Sequence, residues 1–167
     1  MKKLFLFSIF IMLFFSCSAG KKDYTIEDDY RSWKRTTNIE LDYPIPGHGS
    51  AYRRIYINPT GENVKIEKKG NWESYIYPEG TVIVKEIFNK KPAGEEKADI
   101  LTAMIKAPND PNSKNGWVWI MQRGNTATII TDPFCVTCHE NANESHPYGD
   151  GNPGAVFRDF VFFPYNP

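Results

Sequence analysis

Near its C-terminus the chain reads Cys135-Val136-Thr137-Cys138-His139, and no other stretch of its 167 residues is as restrictive. Two thiols about one helical turn apart, followed at once by an imidazole, form the C-x-x-C-H pattern by which a c-type haem is attached. The spacing follows from the chemistry. Both sulfurs can add to the two vinyl groups of one porphyrin, and the adjacent imidazole can then ligate the iron. A haem held by thioethers cannot diffuse away, which suits a protein working outside the cytoplasm. Other readings of the cysteine pair must be weighed. A thioredoxin-like redox pair requires a βαβ setting, which the sequence lacks. A zinc site would draw on Cys135, Cys138, His139 and His146, but consecutive Cys138 and His139 are awkward partners on one tetrahedral ion. A structural disulfide is the third alternative.

The N-terminus supports export. Lys2 and Lys3 precede an apolar run from Leu4 to Phe15. That run is too short to cross a bilayer comfortably, which takes about 20 residues. It ends in Phe14-Phe15-Ser16-Cys17, similar to a bacterial lipoprotein cleavage site. Residues 1–16 are therefore expected to be a lipoprotein signal peptide, with Cys17 lipidated and residues 17–24 a tether. An ordinary signal peptide or an uncleaved anchor is the alternative. Residues 25–167 then form a single c-type haem domain. Cleavage removes two of the 20 basic residues against 20 acidic ones, and the slightly acidic remainder argues against nucleic acid as a partner. The three cysteines are also all used: one for lipid and two for haem.

Along the chain, Thr25 reads as a helix N-cap, with Ile26, Tyr30 and Trp33 on one face. Pro44, Pro46, Gly47 and Gly49 mark a loop. Ala51 to Asn58 reads as a strand with Ala51, Arg53, Ile55 and Ile57 on one face. An arginine on such a face needs an anion, either a haem propionate or a surface carboxylate. Glu62 to Trp72 is ambiguous between a short helix and loop, and Trp72 to Tyr77 is a brief extended piece. Thr81 to Phe88 is the most strand-like run. Both its faces are largely apolar, so it is expected to be central and Lys85 buried. Burial lowers a lysine pKa and frees its amine for covalent chemistry; at a sheet edge Lys85 would instead snorkel to water. Ile100 to Lys106, Trp117 to Arg123 and Thr126 to Thr131 read as further strands, the last two joined by a hairpin at Gly124-Asn125. Thr131 or Asp132 is expected to cap a short helix from Cys135 to about Asn143, and Ala155 to Phe163 to form a last apolar strand.

The position of the haem motif excludes two designs. Small electron-transfer cytochromes c begin with the motif and supply a methionine downstream, whereas here only Met104 and Met121 are available and both precede it. Helical-bundle cytochromes end with the motif, but this chain alternates like strands and is broken by Pro and Gly. The chain therefore reads as a succession of strands with a few short helices.

Three blocks together resemble the cytochrome P-460 family and its relative cytochrome c′-β. They are Arg53-Arg54-Ile55-Tyr56-Ile57-Asn58, Tyr77-Pro78-Glu79-Gly80-Thr81-Val82-Ile83-Val84-Lys85-Glu86, and Cys135 to His139. The resemblance implies an α+β fold, predominantly antiparallel sheet with a few short helices, usually dimeric, with one covalent haem c. It implies Lys85 as a cross-link to a haem meso carbon, Arg53 near the haem and His139 as proximal ligand. The sixth iron position would be open to a small molecule. Hydroxylamine-oxidising members hold a distal carboxylate, where this chain aligns Thr102; Asp99 or Glu86 could substitute in another register. Three functions follow. One is an oxidoreductase acting on hydroxylamine or a related nitrogen compound. The second is a nitric-oxide-binding protein without turnover. The third is a six-coordinate electron carrier in which His48, or less plausibly His146, closes over the iron. A small-molecule ligand is expected for the first two and a soluble redox partner for the protein, and the lipoprotein reading of the N-terminus puts it on the periplasmic side of a bacterial membrane, with the outer membrane expected.

Overall fold

Strands that alternate between two apolar faces pack best in the middle of a sheet covered on both sides, and the central strands here do so. In the computed structural model, which describes residues 24–44, 51–70, 72–146 and 149–167, the strands are β1 (Lys34–Arg35), β2 (Tyr52–Ile57), β3 (Lys65–Lys69), β4 (Trp72–Ile76), β5 (Val82–Phe88), β6 (Ile100–Lys106), β7 (Trp117–Arg123) and β8 (Thr126–Ile129). Six of them form an antiparallel sheet in the order β1-β2-β5-β6-β7-β8, and β3 and β4 form a separate hairpin. One α-helix, α1 (Pro133–Glu140), follows the sheet. The fold is therefore mostly antiparallel sheet with one short helix and 3₁₀ turns. No helix among the described residues is long and apolar enough to cross a membrane.

The register assigns the faces. Ile57, Ile83, Met104 and Trp119 occupy one cross-strand row, and Ile55, Lys85 and Thr102 the next. This front face packs with Leu41, Tyr77, Trp117 and Val161. Tyr56, Val84, Ala103, Val118 and Ile120 form the back face, covered by Ile26 and Tyr30. Each fully buried aliphatic side chain contributes roughly 1.5–3 kcal/mol, so both faces contribute to stability.

The back face is closed by its own polar staples. Tyr30 lies in a 3₁₀ turn, Asp28–Ser32, where the sequence suggests a longer helix beginning at Thr25. The turn stops because its side chains are claimed by the sheet. Tyr30 donates to the buried Glu86 carboxylate at 2.7 Å and Arg31 donates to it at 2.8 Å. Gln122 accepts from the Ile26 amide at 2.8 Å. These tertiary bonds override local helix propensity. Glu62 to Trp72 likewise resolves into a 3₁₀ turn, Gly61–Asn63, followed by β3. Gly61 is required there: a Cβ would lie 2.6 Å from the side chains of Ile57 and Thr81.

Ala155 to Phe163 is not the strand that its apolar composition suggests. Ala155, Asp159, Phe160 and Phe163 all have positive φ, between 48° and 68°, which breaks any ladder. A non-glycine residue in this region costs about 1–2 kcal/mol. Side chains offset that cost. The buried Asn152 donates to the carbonyls of Ala142 and Val156 at 3.0 and 2.8 Å, and accepts from the Val156 amide at 2.9 Å. Arg158 donates to Asp150 at 2.5 Å. The segment thus wraps across the front face as an irregular strap, tied to β4 by a bridge between Ser74 and Phe157 and to β6 and β7 by the Asp159 carboxylate.

Candidate haem site

Helix α1 is short but well started. Asp132 rather than Thr131 is the N-cap, accepting from the Phe134 amide at 2.9 Å, and Pro133 takes the first turn where its missing N–H is harmless. A 3₁₀ turn, Asn141–Asn143, continues it. The helix carries Cys135, Cys138 and His139 along the edge of a cavity of about 900 Å³, part of it open to solvent. Both thiols are free and half-buried, so the disulfide reading fails. Among the described residues no group of three or more His, Cys, Asp or Glu side chains converges as a metal set. His146 stands on the far side of Phe162, whose ring is 5.2 Å from it and 5.3 Å from His139.

The opposite wall is the front face of the sheet. Arg53, Ile55, Ile83, Lys85, Thr102, Met104 and Trp119 all line it. Met121 is absent from this lining, which leaves Met104 as the one methionine there. The strap closes the cavity with Val161, Phe162 and Phe163. The pocket is therefore apolar, with cationic or basic groups from two strands and the helix.

Lys85 sits on a central strand, as its pattern suggests, but it is half-buried rather than buried, because its side chain lines the cavity. Its pKa falls to about 7, first because burial disfavours the ammonium and then because Arg53 is positive; the nearby thiols oppose the fall. A substantial neutral fraction therefore exists near pH 7. His139 is held still more firmly in its neutral form, with a pKa near 4 caused by burial and then by Lys85. A ring nitrogen of His139, Nδ1, lies 2.9 Å from the Phe160 carbonyl. A carbonyl only accepts, so Nδ1 carries the proton and Nε2 keeps its lone pair. That is the tautomer an iron ligand needs. Trp119 fixes the ring plane edge-on at 4.6 Å.

Arg53 is 1% exposed, which rules out a surface ion pair. One Nη donates to the Tyr43 carbonyl, and the guanidinium lies 5.1 Å from the centre of the Tyr43 ring. Its Nε and the other Nη have no partner among the described residues. A buried cation with orphaned donors is costly, and an anion in the cavity would offset that cost. Two thiols, a neutral imidazole, an apolar slot and an unsatisfied guanidinium fit a haem with its propionates.

Among the described residues no carboxylate lines the wall. Thr102, the cross-strand partner of Lys85, contributes only a hydroxyl. Glu86 points to the back face, and Asp99 accepts from the Asn89 amide at 2.9 Å, away from the cavity. His48 and Cys17 lie outside the described residues. Two features escape a reading of the sequence: the Phe160 carbonyl and the Tyr43 ring, both brought in by irregular segments. Trp119 was visible only as one of several residues on a strand face.

Comparison with known families matches residues 27–163 to the one described as Cytochrome P460. That family implies a haem cofactor. No curated protein matches the chain.

Proposed function

The chain belongs to the cytochrome P460 family, and from this premise we propose an exported protein with one covalent haem c that acts on small nitrogen compounds, hydroxylamine or nitric oxide. The observation that carries the proposal is the convergence of Lys85, Arg53, His139 and two free thiols on one apolar cavity. A bound haem would supply redox chemistry. Cys135 and Cys138 would anchor it, His139 would offer Nε2 to the metal, and Arg53 would offer its two orphaned donors to a propionate. Ile55 and Ile83 exclude water from the reacting side.

Lys85 supplies the neutral amine for a cross-link. With haem in place, that amine is the group that would be available for a covalent link to the porphyrin edge. Thr102 orients a ligand or water but is a weak base near neutral pH. This favours a second reading, reversible nitric oxide binding without turnover, in which the same cavity serves as a receptor. A lipid anchor at Cys17, an outer-membrane periplasmic location, a soluble redox partner and a homodimer complete the proposal.

The test is the absorption spectrum of protein matured with a cytochrome assembly system, before and after hydroxylamine. A red-displaced ferrous band and reduction by hydroxylamine support the oxidoreductase. An ordinary band with rapid nitric oxide binding supports the receptor. Low-spin iron that refuses ligands eliminates both and leaves a six-coordinate electron carrier.

A further inference from the structure

The carbonyl that meets His139 belongs to a residue that would not sit there unaided. Asp159 and Phe160 are consecutive non-glycine residues with φ of 50° and 68°. Released, the backbone would relax and carry the Phe160 oxygen away from the imidazole. We propose that Asn143 and Asp159 are positioning residues that clamp this carbonyl and so set how strongly His139 donates to the iron. The inference rests on the haem reading above.

The two clamps work from different sides. Asn143 lies on the turn that continues α1, so the unit carrying His139 also grips its acceptor. Its Oδ1 accepts from the amides of Arg158 at 2.9 Å and Phe160 at 3.1 Å. Asp159 ties the same point to the sheet. Its buried carboxylate accepts from Lys106 Nζ at 2.6 and 2.7 Å, from Trp117 Nε1 at 3.3 Å and from the Tyr77 amide at 3.2 Å. Neither side chain lines the cavity. An outer partner that holds Nδ1–H makes the imidazole a stronger donor, which favours ferric over ferrous iron.

The test uses haem-loaded protein and three variants: Asn143→Leu, Asn143→Asp and Asp159→Asn. Haem content, reduction potential and the iron–histidine stretching vibration of the ferrous form are measured. Asn143→Leu and Asp159→Asn are expected to keep their haem, lower the vibration frequency and shift the ferric–ferrous balance about tenfold toward ferrous, 59 mV for one electron. Asn143→Asp keeps the acceptor and stays at or below the potential of the unaltered protein. Unchanged potential and vibration in loaded Asn143→Leu overturn the inference. Should Asp159→Asn fail to fold, the two Asn143 variants decide the matter alone. An unaltered protein that takes up no haem overturns the haem reading first, an outcome distinct from loaded variants that do not respond.

Discussion

Lys85 and Thr102 are register partners on β5 and β6, and both line the cavity. The Lys85 amine therefore sits beside a hydroxyl rather than a carboxylate. Thr102→Glu supplies the missing carboxylate. General base catalysis contributes roughly 10²–10⁴-fold, so hydroxylamine oxidation by the loaded variant is expected to rise at least about tenfold. Thr102→Val is expected to leave nitric oxide binding intact. A steady-state hydroxylamine assay with an artificial electron acceptor checks both.

The Lys85 amine gives a pH signature in the haem-free, thiol-reduced protein. Its pKa is about 7 folded against 10.5 unfolded, so the unfolded chain binds more protons between these values. Stability contributed by this group is therefore present above pH 10.5 and lost as pH falls through 7. Lys85→Met removes the dependence, and its advantage over the unaltered chain is expected to be largest below pH 7. His139, near 4 against 6.5, adds a further loss between pH 6.5 and 4. Urea unfolding at a series of pH values measures both windows. A stability difference that is flat from pH 6 to 10 contradicts the burial of Lys85.

Arg53→Leu is expected to act with opposite signs in two states. Without haem it removes a buried cation whose Nε and one Nη lack partners among the described residues, so the haem-free fold gains stability. With haem it removes the propionate partner and lowers the yield of loaded protein. Denaturant midpoints of the haem-free form and haem content of the matured form are the two measurements.

Asn152→Ala should destabilise the strap by about 2–3 kcal/mol. Three hydrogen bonds at roughly 1 kcal/mol each are lost from a residue that is 1% exposed. Equilibrium unfolding of the haem-free protein tests this.

Legibility in the sequence followed periodicity. Ile100–Lys106 and Trp117–Arg123 announce themselves by apolar alternation, and the observed strands have those bounds. Lys85 stood out because a lone cation interrupts a β-branched run whose other positions are apolar or paired. The strap does not show in the sequence because Val161, Phe162 and Phe163 carry the composition of a strand, while the order of the segment depends on polar side chains that precede it, Asn143, Asp150 and Asn152. Of the hairpin, β4 matches the extended piece expected from Trp72, while β3 is hidden for another reason. Lys65–Lys69 has a half-exposed, charged face that gives little alternation to read. The axial hydrogen bond from His139 to the Phe160 carbonyl spans 21 residues and uses a backbone atom, so no side-chain pattern could announce it.

The central claim is that one porphyrin is held by Cys135, Cys138 and Lys85 together. Peptide mass spectrometry of a tryptic digest, made after denaturing the matured protein, tests it directly. The account predicts a single haem-bearing species joining the peptide with Cys135 and Cys138 to the peptide with Lys85. A haem that washes out on denaturation, or an unmodified Lys85 peptide beside a fully loaded cysteine peptide, contradicts it.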